Sequence, residues 1–195
     1  MRVIILIFIA ISILSCNRTS KVSIEKSGVY KVVIEEFGKA NLPPPLPGKL
    51  HNFSKQELDS IFGQEQKIAI YPILNINKEE INLNKIKDSL YSKIAKKLTN
   101  LDKDDLMDLS KINTRSSLHL SLIDTLEQKK NSKLYYKNFD KLLYLSPISF
   151  NEELSRAITI VGVGINFLNG FSALIYLEKQ EDEWVIVKSE ELTIS

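Results

Sequence analysis

Apolar positions recur along this chain with two periods, and the period changes partway through. Val29, Val33 and Phe37 fall four residues apart, with Tyr30 and Ile34 beside them, so 28–39 reads as a helix with one buried face that Gly38 helps to end. Ser54 followed by Glu57 is a capping box opening 54–63, whose face is Leu58, Ile61 and Phe62. A longer helix follows over 84–98, capped by Asn84. Ile86, Leu90, Ile94 and Leu98 make its stripe, widened by Tyr91 and Ala95. Between these helices, 67–74 reads as a strand, and Pro72 places it at an edge or an exit. Residues 116–124 fit two periods: Leu118, Leu120 and Leu122 alternate as in a strand, while Leu118, Leu122 and Leu126 fit a helix. The strand is preferred, with a lysine-rich loop after it to residue 132. From 142 onward the texture is that of strands, at 143–150, 156–165, 171–179 and 183–192. Their short connections imply antiparallel neighbours, with a hairpin at 180–182. Ala173, Ile175, Leu177, Trp184 and Ile186 supply core faces. The pattern predicts an α+β fold in which N-terminal helices pack on a C-terminal antiparallel sheet of about four strands.

The first residues follow neither period. After Arg2, residues 3–14 are apolar apart from Ser12. As a helix this run is about 18 Å long, against a hydrocarbon core of about 30 Å, so it is too short to span. It has the length of a signal-peptide apolar region, with small Ser15 where a peptidase requires one and Cys16 next. Ile13-Leu14-Ser15-Cys16 resembles the lipobox of bacterial lipoproteins. The resemblance implies that residues 1–15 are a removed signal peptide and that the Cys16 thiol carries a diacylglyceryl group. The new terminus would be acylated, and the membrane would be a partner through that lipid. An ordinary secretory signal and a buried N-terminal helix are the alternatives; the run has no polar side, which disfavours the helix. Asn17 replaces the aspartate of the inner-membrane retention signal, so the implied address is the outer membrane. Residues 16–27 then read as a polar tether and 28–195 as a single domain. A connector at 41–49, NLPPPLPGK, is held extended by its prolines.

Composition narrows the chemistry further. Twenty-six Lys and Arg against 24 Asp and Glu give a net charge of +2, and only four of the basic residues are arginine. Neither the balance nor the arginine content fits a nucleic-acid partner. One cysteine, used for lipid, leaves no disulfide and no metal–thiolate chemistry. The acidic run Asp102, Asp104, Asp105 and Asp108 fails as a calcium loop, because Leu106 and Met107 stand where a ligand and a glycine belong. Gly162-Val163-Gly164 fails as a dinucleotide fingerprint for want of a third small residue and a following helix; the glycines read as a bend or bulge. His51 and His119 show no zinc spacing. Ser117, His119 and Ser121 share one strand face without forming a triad. The adjacent pairs Glu35-Glu36, Glu79-Glu80, Glu152-Glu153 and Glu190-Glu191 make no acid–base pair. Lys85, Lys93 and Lys96 share one helix face, read as solvated and secondarily as a lipid-facing patch. Tyr135, Tyr136, Phe139 and Tyr144 read as core.

The C-terminal third is also similar to uncharacterised small domains of bacterial lipoproteins. It carries their Ser-x-Pro-x-Phe-like strand at Ser146, Pro147 or Ile148, and Phe150, and a strand of small and β-branched residues over 157–163. Tyr176, Leu177 and Lys179 follow, then Trp184 with Ile186. Some members bear a cysteine in the loop between the middle strands; here 162–170 has none. No activity comes with that resemblance. The sequence therefore predicts a membrane-anchored, non-enzymatic binding or structural module of the cell envelope that needs no cofactor and acts on an envelope protein or ligand. An envelope hydrolase using His119 or a carboxylate is the alternative.

Overall fold

The computed structural model describes residues 2–43, 53–74, 81–101, 105–130, 137–165 and 169–194. Helix α1 spans Arg2–Phe37; of its first part, 2–19, only the backbone is described. Helices α2 (Lys55–Phe62), α3 (Ser89–Thr99) and α4 (Thr125–Lys130) follow. The strands are β1 (Gln66–Ile70), β2 (Ile73–Leu74), β3 (Asp105–Leu106), β4 (Leu118–Leu122), β5 (Lys141–Leu145), β6 (Ser149–Phe150), β7 (Arg156–Gly164), β8 (Gly170–Gln180) and β9 (Glu183–Ile194). The class is α+β, as the pattern predicts.

The sheet is larger than the expected four strands, and it is mixed. Among the described residues, seven strands run in the order β4-β1-β5-β7-β8-β9, with β6 also paired to β7. The expected antiparallel meander is there: β5 and β6 pair with β7, β7 with β8, and β8 with β9. Two further strands extend it in parallel, β1 beside β5 and β4 beside β1. Thus β1 is internal, not an edge. Ile68, Ala69 and Ile70 are all buried, because both faces of this strand are covered. Parallel pairing needs a long crossover, and the segments carrying α3 (β1 to β4) and α4 (β4 to β5) supply it. The stretch expected as a lysine-rich loop thus contains α4.

Alternation along each strand splits its side chains between the two faces of the sheet, where two larger cores and a small third cluster of Ala69, Ile123 and Leu142 form. One face carries Ile68, Ile70, Leu118, Leu143, Leu145, Val161, Val163, Ala173, Ile175, Leu177 and Trp184, and packs on Val29, Tyr30, Val33 and Ile34 of α1. The other face carries Ile158, Ile160, Leu174 and Tyr176, and packs on Tyr91, Ile94, Ala95 and Leu98 of α3. Each helix therefore contributes the stripe that the four-residue spacing indicates. Asp88, not Asn84, caps α3: its carboxylate accepts from the backbone N–H groups of Leu90 and Tyr91 at 2.8 and 3.1 Å. The Ser54–Glu57 capping box forms on α2.

The helix that 28–39 predicts begins well before residue 28. The stretch read as a tether lies within α1, and Glu25 is buried beneath β8 and β9. Its carboxylate accepts from Lys179 Nζ and from the Trp184 indole N–H, each at 2.7 Å. The ammonium of Lys179 is held above its ordinary pKa, first by that hydrogen bond. Gly28 lies within α1. A Cβ there would stand 2.9 Å from Trp184 Cδ1, so glycine is what lets the indole lie on the helix. At the other end Gly38 donates to Ile34 O at 2.8 Å, and the buried Lys141 reaches from β5 to cap α1, donating to the Phe37 carbonyl at 3.1 Å and to that of Lys39.

The Ser146-Pro147 break between β5 and β6 is a buried polar node. Ser146 Oγ accepts from Ile160 N–H at 2.8 Å and lies 3.1 Å from Thr159 Oγ1, while the Tyr30 hydroxyl of α1 donates to Ser146 O at 3.1 Å. The residues that carry the second resemblance thus hold the sheet break closed. Gly162 forms no bulge, since the β7–β8 register runs unbroken from Arg156↔Glu178 to Gly164↔Gly170. It gives room to Tyr144, whose Cβ would lie 3.2 Å from an added methyl. The bulges are in β9, where Val187 and Leu192 are the extra residues.

Candidate functional site

Cys16 sits inside α1, twelve positions before Gly28. Continuing at 1.5 Å per residue, the helix puts about 14 Å between Cys16 and the buried Glu25. No helix among the described residues is long and apolar enough to cross a membrane. Beside the helix, Ser23, Lys26, Ser27 and Tyr30 face Leu106, Asp108 and Lys111 across a shallow cleft of about 210 Å³.

The residues weighed for hydrolysis do not converge. His119 stands on the edge strand β4 with its side chain more than half exposed, and Nε2 lies 3.6 Å from a carboxylate oxygen of the still more exposed Glu65. His51, Glu79-Glu80, the acidic positions 102–104, Tyr135 and Tyr136 lie outside the described residues, as does most of the 41–49 connector. Glu35 accepts from Arg115 N–H at 2.8 Å and Glu36 pairs with Lys39, so that acidic pair is spent on structure. Tyr144 is not core: it is 38% exposed and stacks on Tyr71, with ring centroids 5.2 Å apart. Among the described residues no group of three or more His, Cys, Asp or Glu is placed to hold a metal ion.

A second cleft is better built. It has a volume of about 450 Å³ and lies where the segment entering α3 passes β8 and β9, lined by Lys85, Ile86, Lys87, Asp88, Tyr91, Tyr176, Val187 and Lys188. That is within the size range of small-molecule sites. Tyr91 and Tyr176 meet edge to face in its wall, with centroids 5.1 Å apart at 85°. Tyr91 shares its hydroxyl proton between Leu177 O at 3.1 Å and Glu178 Oε1 at 3.2 Å; Tyr176 donates to Glu190 Oε2 at 3.1 Å. Burial first, and then these neighbouring carboxylates, push both phenols well above their ordinary pKa. Both carboxylates are themselves engaged. Arg156 Nε contacts Glu178 at 3.0 Å, and Lys188 Nζ contacts Glu190 at 2.9 Å while standing 4.9 Å from the centre of the Tyr176 ring. The Glu190 carboxyl is held below its ordinary pKa, chiefly by the hydrogen bond from Lys188.

Sequence reasoning set Lys85 on a helix face and Tyr91 in a core stripe, but it did not find the cleft. Lys85 belongs to a short 3-10 helix, Leu83–Lys85, that leads toward α3; Lys93 and Lys96 stay exposed on α3 itself. The other wall comes from β9, about a hundred positions later. The broken alternation around Val187 was the available signal. Comparison with known proteins gives no match to a family model, a curated protein or a solved structure.

Proposed function

We propose that this chain is a bacterial envelope lipoprotein, held on the outer membrane by acyl chains on Cys16, whose work there is non-enzymatic binding. The observation that carries the reading is the N-terminal pattern itself: Arg2, a twelve-residue run too short to span, Ser15 and Cys16. Helix α1 passes through Cys16 and runs on until Glu25 and Gly28 lock it to the sheet. Cleavage before Cys16 leaves that union intact, so the lipid would be coupled to the body through a helix. Two or more acyl chains contribute about 0.8 kcal/mol per buried methylene, enough for stable anchoring. Metabolic labelling with an alkynyl fatty acid tests this. The natural chain should take up label and sediment with membranes, and Cys16→Ala should do neither; label on both chains overturns the proposal.

The hydrolase alternative has one observation in its favour, the approach of His119 to Glu65. Both side chains stand in solvent, where an ion pair or hydrogen bond contributes little and a reacting group is not shielded. Binding is accordingly the preferred activity.

A further inference from the structure

We infer that the cleft between the segment entering α3 and strand β9 is a binding site for a small organic anion with an apolar body. Three features of the lining point the same way. First, its charge is unbalanced. Lys85, Lys87 and Lys188 bring three ammonium groups against two carboxylates, that of Asp88, committed to the N-terminus of α3, and that of Glu190, paired with Lys188 at 2.9 Å, so the excess rests on Lys85 and Lys87. The ammonium groups of Lys85 and Lys87 make no hydrogen bond or ion pair with another described residue, although Lys85 lies close enough to favour the charge on Glu190.

Second, the walls between the ammonium groups are apolar and aromatic. Ile86 and Val187 line the cleft above the rings of Tyr91 and Tyr176, which form its largely buried floor, with Arg156 set over the first ring and Lys188 over the second. The phenol hydroxyls are already donated to Leu177, Glu178 and Glu190.

Third, the backbone is irregular where it builds the wall. The β8–β9 register steps from Leu177↔Ile186 to Tyr176↔Lys188, leaving Val187 as the extra residue of a bulge. A bulge re-aims the side chains of its strand. Here both Val187 and its neighbour Lys188 line the cleft, whereas regular alternation would have sent one of them to the opposite face. An exposed valine beside an ammonium group offers a ligand one apolar and one charged contact.

This inference supplies the binding half of the proposed function with a ligand class, and it stands independently of the lipid. The test uses the full chain in detergent, both natural and Cys16→Ala, titrated calorimetrically with three probes: 2-naphthoate, its neutral amide 2-naphthamide, and acetate. In both chains 2-naphthoate should bind about tenfold or more tighter than either comparison probe, since only it uses charge and ring together. The exposed double substitution K85Q/K87Q should weaken 2-naphthoate about tenfold and leave 2-naphthamide unchanged. V187E, which sets a carboxylate on the apolar wall, should abolish 2-naphthoate binding while the far-ultraviolet circular dichroism stays that of the natural chain. Equal affinity for 2-naphthoate and its amide, an affinity that K85Q/K87Q does not change, or no binding of 2-naphthoate at millimolar concentration each overturns the inference. Failure of fatty-acid labelling with 2-naphthoate binding intact would overturn the anchor alone.

Discussion

Glu25 joins the first helix to the last hairpin. Its two oxygens are used up by Lys179 and the Trp184 indole, 159 positions away in the latter case, and its side chain is only 7% exposed. Glu25→Ala would leave a buried indole N–H and an ammonium group without their acceptor. A loss of about 2 kcal/mol is expected, the usual cost of deleting a buried charge-assisted hydrogen bond. Chemical denaturation followed through Trp184, the chain's single tryptophan, reads both the shift in midpoint and any change around the indole; an unmoved midpoint would contradict the assignment. None of this was legible in the sequence. A glutamate in a polar stretch reads as solvated, and Gly28 reads as a boundary, until the partner indole is in place. Residues whose role depends only on their neighbours were legible: Ser54 with Glu57, the α1 stripe, and Ala173, Ile175 and Leu177 on one strand face.

Among the elements, α1 and the β8–β9 hairpin each carry a testable consequence. Lys141 enters from β5 to cap the C-terminal carbonyls of α1, where a positive charge also meets the negative end of the helix. Burial first, then the neighbouring charge of Lys39, lowers its pKa from 10.5 to about 8, with Glu36 opposing. Between those values the unfolded chain binds a proton that the folded chain does not. Stability from this group therefore rises as pH climbs from about 8 toward 10. Urea midpoints across that range should rise in the natural chain and stay level, by comparison, in Lys141→Met; parallel slopes would refute the assignment. The hairpin turns on Glu181 and Asp182, at φ of 49° and 68°, a left-handed pair that asparagine and glycine adopt more readily. The double substitution E181N/D182G should stabilise the fold by about 1 kcal/mol, read as a higher thermal midpoint; an unchanged or lower midpoint would count against it. The strands themselves could be read from alternation. Their count and direction could not, because parallel pairing of β1 with β4 and β5 is set by crossovers, on which local period is silent. The run Ile68-Ala69-Ile70, apolar at every position, was the sign of an internal strand; of the edge or exit that Pro72 suggested, the exit is what the structure has, just beyond β1.

At the scale of the whole molecule, one sheet separates two helices with different tasks. Helix α1, on one face, carries Cys16 and is fastened at Glu25, Gly28 and Lys141. Helix α3, on the other face, borders the cleft with its lysine rim and tyrosine walls. The proposed anchor on one side of the sheet and the proposed site on the other would suit a binding module at a membrane. The cleft escaped the sequence because a bulge and two distant segments assemble it, whereas the proposed anchor rests on consecutive residues. The most direct test of the account is the intact mass of the protein extracted from its native membrane. A chain starting at Cys16, with a diacylglyceryl group on sulfur and an acyl group on the terminal nitrogen, is the predicted result. A chain that still carries Met1, or a free thiol at Cys16, would contradict it.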